Sequence, residues 1–475
     1  MNKKRSLIFS PLTGIATLCA LIFYACTVIF FLADVNAVIN PKRPEDLSTE
    51  QKNHLDKILE EKFAEEKGIL KNLPYQTVAA DLFINAESAI LIDTETGNIL
   101  FEKNADEPIP PASMTKLVEM YVVFEAVEEG SVTLDDIVPL PPQSWAINLP
   151  RDASIMFLAQ GQTVTLRELL LGLAIASGND ASIAVANYVA GSMDEFVERM
   201  NRVVEGMGLE QTHFVESSGY SELNVTTARE FAAFSRMYIK SFPEAITDYH
   251  SKEVLRYPLE HNLPKSQQYQ GDSQAVIQYN TNKLLGVLKG CDGLKTGFIY
   301  ESGYNLALTA KRDSRRFLSV TMRGPGIGSV QGNRYRTQDG TTLMEYAFSS
   351  FADYLVSEEE KKSHSVTVGV TGTFKKAVTL IPAYDEAFTV PFIAGSSPEE
   401  AASMVKTELH VPKALYLGAT CGSTYGTITY TLNGVTLQTV PLVADRTVVQ
   451  TSLLKKAWGK AQYFFITKVF SQENP

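Results

Sequence analysis

The sequence predicts an α+β protein of two folded domains, set between an apolar leader and a basic terminal helix. Three observations carry that reading. Buried-type helical patterns follow Ser113 and flank Ser177, while the stretch around Lys295 reads as a strand, so helices and strands share one domain over residues 76–352. After residue 361 the helical period gives way to alternating runs rich in β-branched residues, which predicts a small β-sandwich over 361–451. Residues 452–475 then return to a helical period studded with lysines. The 475 residues, 45% of them hydrophobic, suffice for two separate cores.

Lys3, Lys4 and Arg5 precede an apolar stretch from Leu7 to Ala33, and Val35-Asn36-Ala37 offers the small residues a signal peptidase requires. Residues 1–37 are therefore expected to direct export and to be cleaved after Ala37. The stretch is also long enough to span a bilayer, for which about twenty residues suffice, so an uncleaved anchor is the alternative. Residues 38–75 are rich in Glu and Lys, with Leu55, Ile58, Leu59, Phe63 and Ile69 at partly helical spacing. They read as a solvated helical linker, or as a stalk if the leader stays in the membrane.

Ser113 follows Pro110-Pro111-Ala112 and precedes Leu117, Met120, Tyr121, Phe124 and Val127 at helical spacing, so it opens a buried helix. Ser452-Leu453-Leu454-Lys455 repeats the S-x-x-K spacing without that setting. On a helix Lys116 shares a face with Ser113, one turn on. A serine hydroxyl needs a base, and an ammonium is not one. Lys116 must be held neutral by burial and by a second cation, for which Lys295 is the candidate. The helix start also offers the free N–H of Ser113 to an oxyanion.

Ser177-Gly178-Asn179 lies between the apolar runs Leu169–Ala176 and Ala181–Ala186 and reads as a turn between two buried helices. Ser177 would pass a proton between Lys116 and a leaving amine, and Asn179 would hold substrate backbone and the lysine. The segment from Asp292 to Phe298 reads as a sheet edge, contributing Lys295 and Thr296. Gly297 would admit a substrate backbone, and the N–H of Phe298 is the candidate second oxyanion donor. A nucleophile, two candidate bases and an anion-binding strand in this order suit acyl transfer.

With these motifs the chain resembles the low-molecular-mass penicillin-binding proteins, the serine D-alanyl-D-alanine carboxypeptidases. The likeness extends to Ala89–Asp93 with Thr96-Gly97, to Gly206–Leu209 with Thr212–Phe214, to Thr226–Glu230 and to Gly293–Leu306. It is strong over 76–352 and weaker over 361–451, which is similar to the family's β-rich second domain. The resemblance implies a β-lactamase/penicillin-binding-protein-like domain, an antiparallel sheet flanked by helices, that removes the terminal D-alanine of peptidoglycan stem pentapeptides through an acyl-enzyme. It implies acylation by β-lactam inhibitors, and no cofactor or metal. It also implies that Lys295, Thr296 and a later arginine grip the substrate carboxylate. Arg336, placed before Leu343-Met344, fits that arginine, and Arg334 competes. Many such enzymes carry a polar residue after K-T-G, where this chain has Phe298.

A cross-link endopeptidase would use the same residues, and an idle wall-binding scaffold would have lost one of them. A class A β-lactamase needs a glutamate four residues before an asparagine such as Asn224, and Tyr220 stands there. His54, His213, His250, His261, His364 and His410 are scattered, with no metal-binding H-E-x-x-H.

In the second domain Val366–Val370, Ala377–Leu380, Thr407–Val411, Gly426–Tyr430 and Thr436–Val443 read as strands, with a turn at Asn433-Gly434. In the terminal helix Leu453, Leu454, Trp458, Ala461, Phe464 and Phe465 share a side, and Lys455, Lys456, Lys460 and Lys468 add positive charge. That suits a membrane surface, here the outer face of the cytoplasmic membrane. A net charge of −11 argues against nucleic acid. Cys19 and Cys26 lie in the leader, and Cys291 and Cys421 in different domains, so no disulfide is expected and Cys291 reads as buried and inert.

Overall fold

The computed structural model describes residues 11–63, 70–77, 81–373, 377–383, 387–392, 397–449 and 452–468. The chain divides into two compact units. The larger comprises Glu66–Tyr354 and Ala387–Met404; the smaller comprises Met1–Glu65, Leu355–Glu386 and Val405–Pro475.

The larger unit is organised by a six-stranded sheet of β1 (Lys71–Asn72), β2 (Ser88–Asp93), β3 (Asn98–Lys103), β4 (Cys291–Ile299), β5 (Gly303–Arg312) and β6 (Arg315–Gly324), in the order β1-β3-β2-β6-β5-β4. Its neighbours run antiparallel except at β1, which pairs parallel to β3 through Lys71↔Asn98 and Asn72↔Ile99. The expected antiparallel sheet is thus mixed at one edge. A two-residue strand has no alternation by which sequence could reveal it.

β2 is buried along its whole length. Ile90 and Ile92 face one core with Phe231 and Phe234 of the helix Ala228–Ser241, whereas Ala89 and Leu91 face another with Leu343, Met344 and Ala347 of the helix Gly328–Ser350. The sheet is therefore a middle layer, and β4 forms its free edge. The helix Lys116–Glu128 is buried around nearly its full circumference, as befits a helix at the centre of a helical cluster. Helices Asn179–Ala190, Met193–Gly206 and Ala228–Ser241 pack against it.

The smaller unit holds a five-stranded antiparallel sheet of β7 (Val366–Gly369), β8 (Ala377–Pro382), β9 (Lys406–His410), β10 (Thr424–Leu432) and β11 (Val435–Ala444), in the order β7-β8-β11-β10-β9. Asn433 and Gly434, at φ of 49° and 82°, join β10 to β11 as the dipeptide predicted.

One expected boundary takes a different form in the structure. The β-rich region over 361–451 is not contiguous, because Ala387–Met404 leaves it for the larger unit. There the Thr389 hydroxyl donates to Asp93 Oδ2 at 2.6 Å, a tie across the chain that no local pattern announces. The charged helix Thr49–Phe63 is exposed to solvent over most of its surface, as expected, while its apolar residues Leu55, Ile58 and Leu59 are at least partly covered. Leu55 is buried, Ile58 sits over Gly422, and Lys62 Nζ donates to the Gly422 carbonyl at 2.7 Å, so its apolar face is used on the β-rich unit.

Candidate active site

Ser113 lies in a 3-10 turn, Ala112–Thr115, that feeds directly into the helix Lys116–Glu128. Ala112 adopts φ +50°, an unusual conformation for a residue with a Cβ, and it turns the chain sharply at the nucleophile. Two glycines make room for that turn. A Cβ on Gly219 would come 1.9 Å from the Ala112 carbonyl oxygen, and one on Gly297 would lie 2.4 Å from the Pro111 carbonyl oxygen and 3.2 Å from the Ser113 nitrogen. The serine backbone is held between β4 on one side and the 217–220 loop on the other.

Lys116 is fully buried, and its Nζ donates to Ser113 Oγ at 3.3 Å, to Asn179 Oδ1 at 2.7 Å and to the Ser218 carbonyl at 2.6 Å. Burial lowers its pKa to about 8, against the opposing pull of Glu119, Glu216 and Asp180. Lys295 is a second buried cation, and it and Lys116 repel each other. Lys295 is held well below its ordinary value by burial, and further by the positive charges of Lys116 and Arg336.

The Ser177 turn is fixed from behind. A π-helical turn, Gly172–Ala176, ends at Ser177 in the left-handed region (φ 60°), and the helix Asn179–Ala190 follows at once. The buried Asp180 carboxylate accepts from the N–H groups of Met156, Leu158 and Ala181, and Asn179 N–H donates to the Ser154 carbonyl at 2.7 Å. The Ser177 hydroxyl accepts from Lys295 Nζ at 2.9 Å rather than from Lys116. Lys295 also donates to the Thr296 carbonyl at 3.1 Å.

Thr296 Oγ1 donates to Thr281 Oγ1 at 2.7 Å, and the Arg336 guanidinium reaches the Thr281 carbonyl at 3.4 Å. Thr281 therefore ties the end of the K-T-G strand to the arginine. Arg336 is buried, with a pKa drawn down to about 10 by that burial, and its guanidinium carbon stands 5.7 Å from the Tyr304 ring centre. Arg334 is exposed and lies over Tyr335, which leaves Arg336 as the arginine on this cluster. Phe298, 40% exposed, stacks on Tyr304 at 4.4 Å and forms an apolar rim.

Two hydrogen-bonded groups thus meet at the Ser177-Gly178-Asn179 turn: Ser113, Lys116 and Asn179 form one, and Ser177, Lys295 and Thr296 the other, with Arg336 linked to the second through Thr281. Ser452 lies exposed in the other unit. Glu222 is exposed too, while Asn224 braces its own loop by donating to Glu216 Oε1 at 2.9 Å and accepting from Val215 N–H at 2.8 Å. Burial pushes the Cys291 thiol up to about 11, so it is a poor nucleophile. Sequence reasoning missed Ser218, Gly219, Thr281 and Glu216. Only the Ser217-Ser218-Gly219 run carried a signal, that of a turn, and nothing in it pointed to Lys116.

Comparison with known proteins agrees with this geometry. A family model described as D-alanyl-D-alanine carboxypeptidase matches residues 75–326. The chain is 31% identical over 387 residues to the D-alanyl-D-alanine carboxypeptidase DacC of Escherichia coli, covering 81% of this chain and 89% of that one. It is likewise 31% identical over 368 residues to DacA of Escherichia coli, covering 76% and 83%. Among solved structures, penicillin-binding protein 5 of Haemophilus influenzae superposes with a TM-score of 0.66 at 28% identity, over 78% of this chain and 100% of that one.

Proposed function

Because the chain belongs to the D-alanyl-D-alanine carboxypeptidase family, as a low-molecular-mass penicillin-binding protein of the serine type, we propose that Ser113 is its nucleophile and that peptidoglycan stem pentapeptides are its substrate. Ser113 Oγ attacks the carbonyl of the penultimate D-alanine, and neutral Lys116 takes its proton. The N–H groups of Ser113 and Phe298 hold the oxyanion, Gly297 letting the β4 backbone lie against the serine. Ser177, whose oxygen accepts from Lys295, hands its own proton to the departing amine and regains one from Lys116. Asn179 holds Lys116 in place and orients the peptide.

Lys295, Thr296 and Arg336 receive the terminal carboxylate. Its negative charge answers the crowding of Lys295 and Arg336, two buried cations whose desolvation a bound anion offsets. D-alanine leaves, water attacks the acyl-enzyme with Lys116 again accepting a proton, and Ser113 is restored. Penicillins present a strained amide and a carboxylate to the same groups, and they should acylate Ser113. The apolar N-terminal helix is of the kind that directs export. The basic C-terminal helix would hold the enzyme at the outer face of the cytoplasmic membrane.

The observation that carries this reading is the contact of Lys116 Nζ with Ser113 Oγ at 3.3 Å, deep enough that burial brings the amine to about 8. It is tested by D-alanine release from a diacyl-Lys-D-Ala-D-Ala peptide with the detergent-solubilised full chain and its Ser113→Ala variant. Release and fluorescent-penicillin labelling by the parent alone are expected. Labelling without release, but with cleavage of cross-linked dimers, would replace the carboxypeptidase by an endopeptidase. Release by a folded Ser113→Ala variant would remove the serine mechanism.

A further inference from the structure

The last turns of the N-terminal helix, Pro11–Ile39, are built into the β-rich unit. Val35 and Val38, each 1% exposed, join Ala414 and Ile466 in a small core, and Phe31 meets Trp458 and Phe465 edge-on with ring centres 4.9 and 5.8 Å apart. The polar contacts are as specific as the apolar ones. Asp34 Oδ2 accepts from the Trp458 indole N–H at 2.8 Å and from Gln462 Nε2 at 2.9 Å. Gln462 is itself buried in the C-terminal helix, and its Oε1 accepts from the Gly372 N–H at 3.2 Å. Glycines permit the approach on both flanks: a Cβ on Gly459 would come 2.6 Å from the Gly372 Cα, and one on Gly369 would come 1.9 Å from the Val38 carbonyl oxygen.

Upstream of this socket the helix changes character. Leu18, Leu21, Phe23, Tyr24, Ile29 and Phe30 are between 58% and 75% exposed, and an 18-residue window within Ala16–Ile39 has a mean hydropathy of 2.4. Of the helix's 29 residues about 20 would fill a hydrocarbon core, which sets the docked turns from Phe31 onward at its outer boundary. Lys3, Lys4 and Arg5 would stay on the cytoplasmic side. Beside the exit point, the C-terminal helix exposes Leu453, Leu454 and Phe464 with Lys456 and Lys460, a surface suited to lying in the lipid interface. Cleavage after Ala37 would remove Phe31, Asp34 and Val35 together and take the acceptor from both Trp458 and Gln462.

We propose that the N-terminal helix is retained in the working protein as a bilayer anchor, its outer end locked by Asp34 to Trp458 and Gln462 of the C-terminal helix. The anchor and the interfacial helix then act as one membrane-seated element. This stands apart from the catalytic reading, and either can fail alone.

The test uses the full chain with its own N-terminus, expressed in a bacterial host and taken from the membrane fraction in mild detergent. Intact mass and N-terminal sequencing should find a start upstream of Phe31; a start at Val38, or anywhere beyond Asp34, overturns the proposal. Asp34→Ala and Trp458→Phe should each lower the thermal midpoint of the β-rich unit by roughly 2–4 °C, with the double variant falling no further than the worse single. Additive losses, or none, would overturn the lock. A Lys456→Glu, Lys460→Glu variant, which weakens interfacial attraction alone, should stay in the membrane pellet through an alkaline wash, and its release would overturn the anchor.

Discussion

At Lys116 two forces oppose each other. Burial drives the amine toward neutrality, and Glu119, Glu216 and Asp180 pull it back toward charge. Glu119 sits one helical turn beyond the lysine and is fully buried, and that burial raises its own carboxyl to about 8 against the attraction of Lys116. Activity should therefore fall as pH drops below about 8, because a protonated Lys116 cannot accept the serine proton. Glu119→Gln removes one charge that keeps the lysine protonated while sparing Glu216 and Asp180. Because the Glu119 carboxyl is itself uncharged well below about 8, kcat/KM at pH 6.5 should stay within about 2-fold of the parent and rise only near and above pH 8, where the carboxylate ionises; an unmoved profile there would show that Glu119 does not tune the base. The same change bears on stability. A carboxyl whose pKa is raised in the folded state favours folding at low pH and loses that contribution as pH climbs from 4.5 toward 8. The midpoint of Glu119→Gln should gain on that of the parent over this interval. At the carboxylate end, Arg336→Gln should raise KM about 10- to 100-fold with kcat largely kept, since the contact binds ground and transition states alike. Arg334→Gln, altering an exposed arginine, should leave both constants near those of the parent.

Among the elements, the nucleophile turn depends on what its neighbours lack. Gly219→Ala and Gly297→Ala would drive a methyl group into the carbonyls of Ala112 and Pro111, and at Gly219 the φ of +75° adds strain. Each should slow penicillin acylation by far more than it lowers the melting temperature, a contrast that stopped-flow labelling and calorimetry would resolve. These positions also mark where sequence reading ended. Ser113, Lys116, Ser177, Asn179 and Lys295 were legible because short motifs lay on strongly patterned helices and a strand, and all five alternating runs of the β-rich unit emerged as strands. Ser218 contributes a backbone carbonyl, which any residue type could supply, and Thr281 acts through one hydroxyl and one carbonyl. Such contributions leave no imprint on residue identity. The short strands Lys71–Asn72 and Ala387–Pro391 were missed for a related reason: their partners are chosen by distant segments, Thr389 by Asp93 across 296 positions.

Across the whole molecule, two units with separate cores predict two unfolding transitions. Acylation by a penicillin should raise only the transition of the larger unit, since the ligand binds no residue of the other. A single transition moving as one would show that the units unfold together. The dispersal of the site along the chain has a further consequence for a hydrolase whose apolar N-terminal helix is of the kind that directs export. Lys116 owes its lowered pKa to burial among segments as remote as Asn179 and Ser218, and the carboxylate grip waits for Lys295 and Arg336. A polypeptide not yet folded presents Lys116 to water, where it remains an ordinary ammonium and Ser113 an ordinary alcohol. An unfolded chain is thus catalytically silent, and competence arrives only with the completed fold.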